Sequence, residues 1–153
     1  MNKYYENTED QLFVNPILAN HVGLTEITQE QFNQIIAERN KPTTDQLLQK
    51  LTQERKEQER QGVSINGVRY AGDQINRQAM QEALAFMEDA GIAEFTSWKD
   101  SDNEFHTNHP LSEVFNAYRA IGERRAQLIA TEGEYAAQIA AGTLTDLSEV
   151  TWT

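Results

Sequence analysis

The sequence predicts an α+β fold. Asn66-Gly67 lies between two short β-rich pieces, Val63-Ser64-Ile65 and Val68-Arg69-Tyr70. Asn-Gly is the strongest two-residue hairpin signal, because both central residues of a type I′ turn need positive φ. Apolar residues then recur at helical spacing from Ile75 onward, and again from Pro110 to Ala141. Before all of this, the first forty-odd residues alternate short extended pieces with one amphipathic helix.

In chain order, Lys3-Tyr4-Tyr5 and Leu12-Phe13-Val14 read as strands around the turn residues Asn7-Thr8-Glu9-Asp10, and Leu24–Ile27 as a third extended piece. Thr28 begins a capping box with Gln31, and Phe32, Ile35 and Ile36 form the stripe of a helix that ends before Pro42. A second box, Thr43 with Gln46, opens another helix with Leu47, Leu48 and Leu51. From Thr52 to Gln61 no side chain is apolar. A helix polar all round bridges between parts or lies open to solvent, so three parts are expected. These are a strand-and-helix module over 1–42, a polar helical linker over 43–61, and hairpins packed on two longer helices over 62–153.

In the third part, Asp73 is placed to cap a helix whose stripe is Ile75, Ala79, Ala83, Phe86 and Ala90, widened by Met80, Leu84 and Met87, with Gly91 as its stop. A second hairpin follows. Glu94–Lys99 alternates, with Phe95 and Ser97 on one face and Thr96 and Trp98 on the other, and Glu104–Thr107 returns after an Asp100–Asn103 turn. Pro110 suits the first position of a helix running to Ala141. Its stripe is Phe115, Tyr118, Ile121, Leu128, Ile129, Tyr135 and Ile139. Gly122 and Gly133 mark places for a kink, and Arg125 and Glu132 interrupt any heptad. Trp152 is expected to dock on the core.

Composition narrows the function classes. The 153 residues carry a net charge of −11 with no basic face in view, so no nucleic-acid partner is expected. The acidity is uneven: residues 1–62 hold 7 Lys and Arg against 10 Asp and Glu, and residues 63–153 hold 6 against 14. No cysteine occurs, which removes disulfides, thiolate nucleophiles and cysteine zinc sites and fits a reducing cytosol. The first residues lack the apolar region of a signal peptide, and no apolar run approaches the ~20 residues of a membrane span.

The constellations that could carry chemistry are incomplete. Asp100, Asp102 and Glu104 alternate as a calcium loop begins, but Phe105 replaces the glycine and Leu111 the closing glutamate that such a loop needs. His106 and His109 stand three apart with His21 far upstream, and read as a polar turn pair rather than zinc ligands. Neither a phosphate-binding glycine loop nor a nucleophile elbow occurs. The expectation is a protein that is not an enzyme and holds no metal or cofactor. Tyr4, Tyr5, Trp98 and Trp152 are the aromatics available for partner contact or docking, or for a sugar platform, against the commoner use of scattered aromatics in cores.

Two parts of the chain resemble known phage proteins. The Tyr4-Tyr5 start, Gly23-Leu-Thr-Glu-Ile-Thr-Gln-Glu-Gln-Phe32 and Lys41-Pro-Thr-Thr-Asp-Gln-Leu-Leu48 resemble tail-fibre assembly proteins of tailed bacteriophages. Ile65-Asn-Gly-Val-Arg-Tyr70, Asp73, the alanine-rich helices, Phe95-Thr-Ser-Trp98 and Leu147-Ser-Glu-Val-Thr-Trp152 resemble an uncharacterised phage domain often joined to such segments. The resemblance implies a non-enzymatic role in building, capping or attaching tail fibres, through contact with a fibre or with another tail or baseplate protein. It implies the cytoplasm of the infected bacterium as the place of assembly, and the virion tail if the protein stays in the particle; self-association is compatible with it. A permanent tail or baseplate component is the alternative within this class. A glycan hydrolase is the rival outside it, and would need two carboxylates ~5–10 Å apart in a deep pocket.

Overall fold

The computed structural model describes residues 2–15 and 23–152, and its architecture is α+β, as the sequence predicts. The chain forms two compact units, residues 1–42 and 43–153.

The first unit is a three-stranded antiparallel sheet, β1 (Tyr4–Asn7), β2 (Leu12–Val14) and β3 (Leu24–Ile27), in the order β2-β1-β3, with helix α1 (Gln29–Arg39). Asn7 builds the β1–β2 turn: its Oδ1 accepts from the backbone N–H of Glu9 and Gln11, and Asp10 takes a left-handed φ of 59°. Thr28 and Gln31 cap α1 reciprocally. Tyr4 lies on Phe32 with ring centroids 4.8 Å apart, and Tyr5, in the central strand, is buried. No residue of α1 is buried, so this unit rests on one layer of half-covered contacts.

The second unit is organised along α4 (Leu111–Ala140), a continuous helix of 30 residues, about 45 Å long. Gly122 and Gly133 do not break it, since a helix held by packing on both sides tolerates the ~1 kcal/mol each glycine costs. Two apolar clusters sit at its two ends. At the first, Val114, Ala117 and Ile121 pack with Val68 and Tyr70 of the hairpin β4 (Val63–Ile65)–β5 (Val68–Tyr70) and with Met80 and Leu84 of α3 (Gln74–Asp89). Phe95 and Trp98 of β6 (Glu94–Lys99), paired with β7 (Phe105–Pro110), close this cluster from the side. At the second, Ile139 packs with Leu47 and Leu51 of α2 (Thr44–Gln61) and with Leu144 and Leu147 of the following segment; Trp152 lies against it.

Five expectations change. The helix over 43–61 does not stand apart as a linker: α2 belongs to the second unit and packs along α4. Its polar stretch is covered by charge pairing rather than apolar burial, which a count of apolar residues cannot register. On α3 the buried line is Met80, Leu84 and Met87, while Ile75, Ala79, Phe86 and Ala90 face solvent. Both lines have helical spacing, and only the packing partner decides which one turns inward. On α4 the buried line is Val114, Ala117, Ile121, Leu128 and Ile139, leaving Phe115 and Ile129 exposed for the same reason. In the second hairpin β7 extends to Pro110, which caps α4 instead of opening it. There Asn108 has a φ of 51°, and the rings of Phe95 and Trp98 end 5.0 Å apart rather than on separate faces.

Two glycines at the β4–β5 hairpin carry different constraints. Asn66 and Gly67 have φ of 51° and 84°, the signs a type I′ turn demands, and a Cβ on Gly67 would meet open space. Gly62, at the end of α2, has φ 69°, and a Cβ there would lie 1.8 Å from the carbonyl oxygen of Tyr70. Gly67→Val is therefore expected to cost ~1–2 kcal/mol through φ alone. Gly62→Ala should cost more, ~3 kcal/mol or above, because backbone must also move. Chemical denaturation of both variants checks the order, and equal losses would show that the Gly62 contact relaxes freely.

Candidate functional site

Two polar constellations stand out in the second unit. The first surrounds the β6–β7 hairpin. Asp100 closes its turn: Oδ1 accepts from the backbone N–H of Asp102 (2.8 Å) and Glu104 (2.9 Å), and Oδ2 lies 2.9 Å from His106 Nε2. The bond with His106, joined by those two backbone bonds, outweighs burial and holds the Asp100 carboxyl below its ordinary range. Arg69 of β5 ties this turn to the first hairpin through Asp102 Oδ1 and the Ser101 carbonyl, both at 2.8 Å.

Behind the turn, His109 is buried, with its Nε2 2.6 Å from the Tyr70 hydroxyl and its ring stacked on Trp98. Burial pushes the Tyr70 hydroxyl up to about 12, reinforced by the charges of Glu113 and Asp100. Burial also lowers the His109 pKa, with the neighbouring His106 adding to the effect and Glu113 opposing it. His106 and His109 thus have separate partners, with ring centroids 5.7 Å apart. His21 lies outside the described residues.

The structure does join one histidine to the acidic turn. Ligand atoms of Asp100, Glu104 and His106 all lie within 4.8 Å of one another. Asp100 and His106 already satisfy each other and the turn's N–H groups, and only exposed Glu104 would be free to reorient. The arrangement is a hydrogen-bonded turn that holds the hairpin in shape.

The four aromatic candidates for docking are divided between clusters. Tyr4 and Tyr5 belong to the small sheet of the first unit. Trp98 is half-buried among Tyr70, Phe95 and His109, and its buried Nε1 has no hydrogen-bond partner among the described residues. Trp152 is half-buried on the second cluster, where its Nε1 donates to Glu54 at 3.4 Å. Each ring packs within its own unit, and within the second unit Trp98 and Trp152 belong to different apolar clusters.

The second constellation was not visible as a site in the sequence. Glu59 of α2 is buried, and three arginines converge on its carboxylate: Arg55 from one turn earlier, Arg77 of α3 at 3.4 Å, and Arg125 of α4 at 3.3 Å. Arg55 also pairs with Glu132 of α4, its Nε lying beside that carboxylate but off the hydrogen-bond direction. Thr52 donates to Glu132 at 2.6 Å, and Arg124 reaches Gln58 at 3.3 Å. Arg77 additionally donates to the Gly72 carbonyl. This layer opens on one side into a cleft of about 510 Å³ lined by Arg55, Lys56, Glu59, Arg60, Arg77 and Arg125, among others. A signal was present: Leu47, Leu51, Arg55 and Glu59 follow one another at steps of four, so the charges continue the apolar line.

Two outcomes follow. Because the folded pKa of His109 is depressed, the unfolded chain takes up its proton first as pH falls. The contribution of His109 should be on its plateau at neutral pH and decline as pH falls through the ordinary histidine value of 6.5, and His109→Gln should flatten that decline. Denaturant midpoints between about pH 7.5 and pH 5.5 read this well above the carboxylate range. For the Asp100–Glu104–His106 turn, micromolar zinc or millimolar calcium should leave the melting temperature unchanged, since ligand binding would raise it by mass action. A clear rise abolished by His106→Ala would turn the trio into a metal site.

Comparison with known proteins gives a family match. A family described as "Domain of unknown function (DUF4376)" covers residues 42–151, which is the second unit almost residue for residue. No curated protein and no solved structure matches. Among the described residues, no helix is long and apolar enough to cross a membrane. The match spans well over half of the chain and contains both polar constellations, and the chain belongs to the DUF4376 family.

Proposed function

We propose that this protein is a non-enzymatic bacteriophage tail-fibre-associated protein that works by protein–protein contact in assembling, capping or attaching the fibre, in the cytoplasm of the infected bacterium. The observation that carries the mode of action is the outer face of α3. Ile75 is 80% exposed and Phe86 66% exposed, with exposed Ala79 and Ala90 on the same line of the helix. Single apolar residues on a surface are ordinary, but an aligned row on one helix is a face for a partner to cover. The tail-fibre resemblance of the segments quoted from Tyr4 to Leu48 supplies the partner class. The hydrolase reading gains nothing from the cleft, because its one buried carboxylate, Glu59, is engaged by three arginines and not presented to a substrate.

The test is co-expression with the fibre protein of the same phage. The intact protein should co-purify with fibre, and Ile75→Asp and Phe86→Asp should each weaken that association while leaving the melting temperature within ~1–2 °C, as exposed substitutions do. Mass spectrometry of purified particles separates an assembly factor from a permanent tail or baseplate component. An intact protein that ignores every tail component would remove the tail assignment. Variants that associate as strongly as the parent would remove α3 as the contact face.

A further inference from the structure

The charge layer around Glu59 is unevenly filled. Five of the chain's thirteen Lys and Arg residues line the cleft there, against three acidic residues, in a protein whose net charge is −11. Within the layer Arg55, Arg77 and Arg125 share two carboxylates, Glu59 and Glu132. Arg124, beside them, has only the Gln58 amide among the described residues, where its buried Nε finds no hydrogen-bond partner. Lys56, exposed at the rim, has no ion pair among the described residues. Glu57 is occupied by Arg60, and Asp73 by the N-terminus of α3. The cleft therefore presents cationic groups in excess of the carboxylates that answer them.

We propose that this cleft docks an acidic segment of a partner protein, two or more of whose carboxylates meet Lys56, Arg125 and the guanidinium groups behind them. The lining favours such an occupant over a small molecule. Sites for small molecules are mostly apolar or aromatic with a few directing polar groups. Here Gln53, Gln74 and the charged residues supply all the side chains, with no aromatic or aliphatic residue among them. Recognition must come from charge, which gives specificity and rapid encounter to a partner anchored elsewhere. Guanidinium groups suit this use because their planar forks bind carboxylates in pairs and keep their charge when half-buried. The inference rests on the reading of a protein that acts by protein contact, but concerns a different surface from the outer face of α3.

The experiment titrates the full-length protein into a fluorescent hexaglutamate peptide, with hexaglutamine as the neutral control, at low salt and at ~0.15 M salt. Binding of hexaglutamate alone is expected, weakening as salt rises. Lys56→Glu and Arg125→Glu should each weaken it about tenfold. Lys50→Glu, the same charge change on α2 outside the cleft, should move it by about twofold or less. Lys56 makes no ion pair among the described residues, so its variant keeps the fold even if Arg125→Glu disturbs the layer. Equal loss in all three variants, or no binding by the parent, would overturn the proposal. Inorganic phosphate that displaces the peptide at lower concentration than free glutamate does would reassign the cleft to a small oxyanion and overturn the peptide reading. Peptide binding without fibre association would leave the cleft assigned and remove only the tail partner; fibre association without peptide binding would do the reverse.

Discussion

The second unit depends on one buried carboxylate. Glu59 gathers an arginine from each of the three helices α2, α3 and α4. Bringing charges out of water is costly unless each meets its counterpart, and removing one member of a buried pair typically destabilises by ~3–5 kcal/mol. That asymmetry makes the layer a register device. If α2 slid by one turn along α4, either Arg55 would enter the apolar seat of Leu51 or Leu51 would enter the ionic seat of Arg55. Apolar contacts at the ends of α4 are adaptable in detail; the ionic layer between them fixes which turn meets which.

The same layer explains how the two apolar clusters coexist. Ile121 and Leu128 on α4 are buried on either side of Arg124 and Arg125, so one continuous helix face carries apolar, charged and again apolar residues. In a coiled coil such an interruption would weaken the seam. Here it is the place where a third helix, α3, reaches in through Arg77. Gly72 sits at this junction, where a Cβ would fall 2.3 Å from the Glu59 carbonyl oxygen, and its own carbonyl accepts from Arg77. Close backbone approach and charge pairing thus reinforce one another at a single point.

Local chemistry was legible in the sequence, and partner choice was not. The capping boxes at Thr28 and Thr43, the Asn66-Gly67 turn and the Asp73 cap all form as read, because each is decided within four residues. The α3 stripe shows the limit. Ile75–Phe86 and Met80–Met87 have equal claim to the core by periodicity, and the choice lies with Val114 and Ala117 some thirty residues away. The candidate sites follow the same division. The acidic turn at Asp100 and the two histidines were each visible, but which histidine would meet the aspartate depends on the hairpin register, Trp98 with His106 and Phe95 with His109. The arginine layer escaped because a polar run reads as solvated until its counter-charges, Arg77 on the next helix and Arg125 and Glu132 more than sixty residues on, are known to face it.

The way α2 is covered has a further consequence, for the order in which the protein can fold. Apart from Glu59, which meets Arg77 at a separation of 18 residues, helix α2 finds its partners across long stretches of chain: Thr52 meets Glu132 at a separation of 80 residues, and Glu54 meets Trp152 at 98. The hairpins at 63–70 and 94–110, by contrast, close over a few residues each. Loop-closure entropy must be overcome before distant contacts can reward it, so folding slows as contacting residues lie further apart in sequence. The hairpin end of α4 can therefore assemble early, while α2, among the first helices in the chain, waits for the last residues described here to arrive.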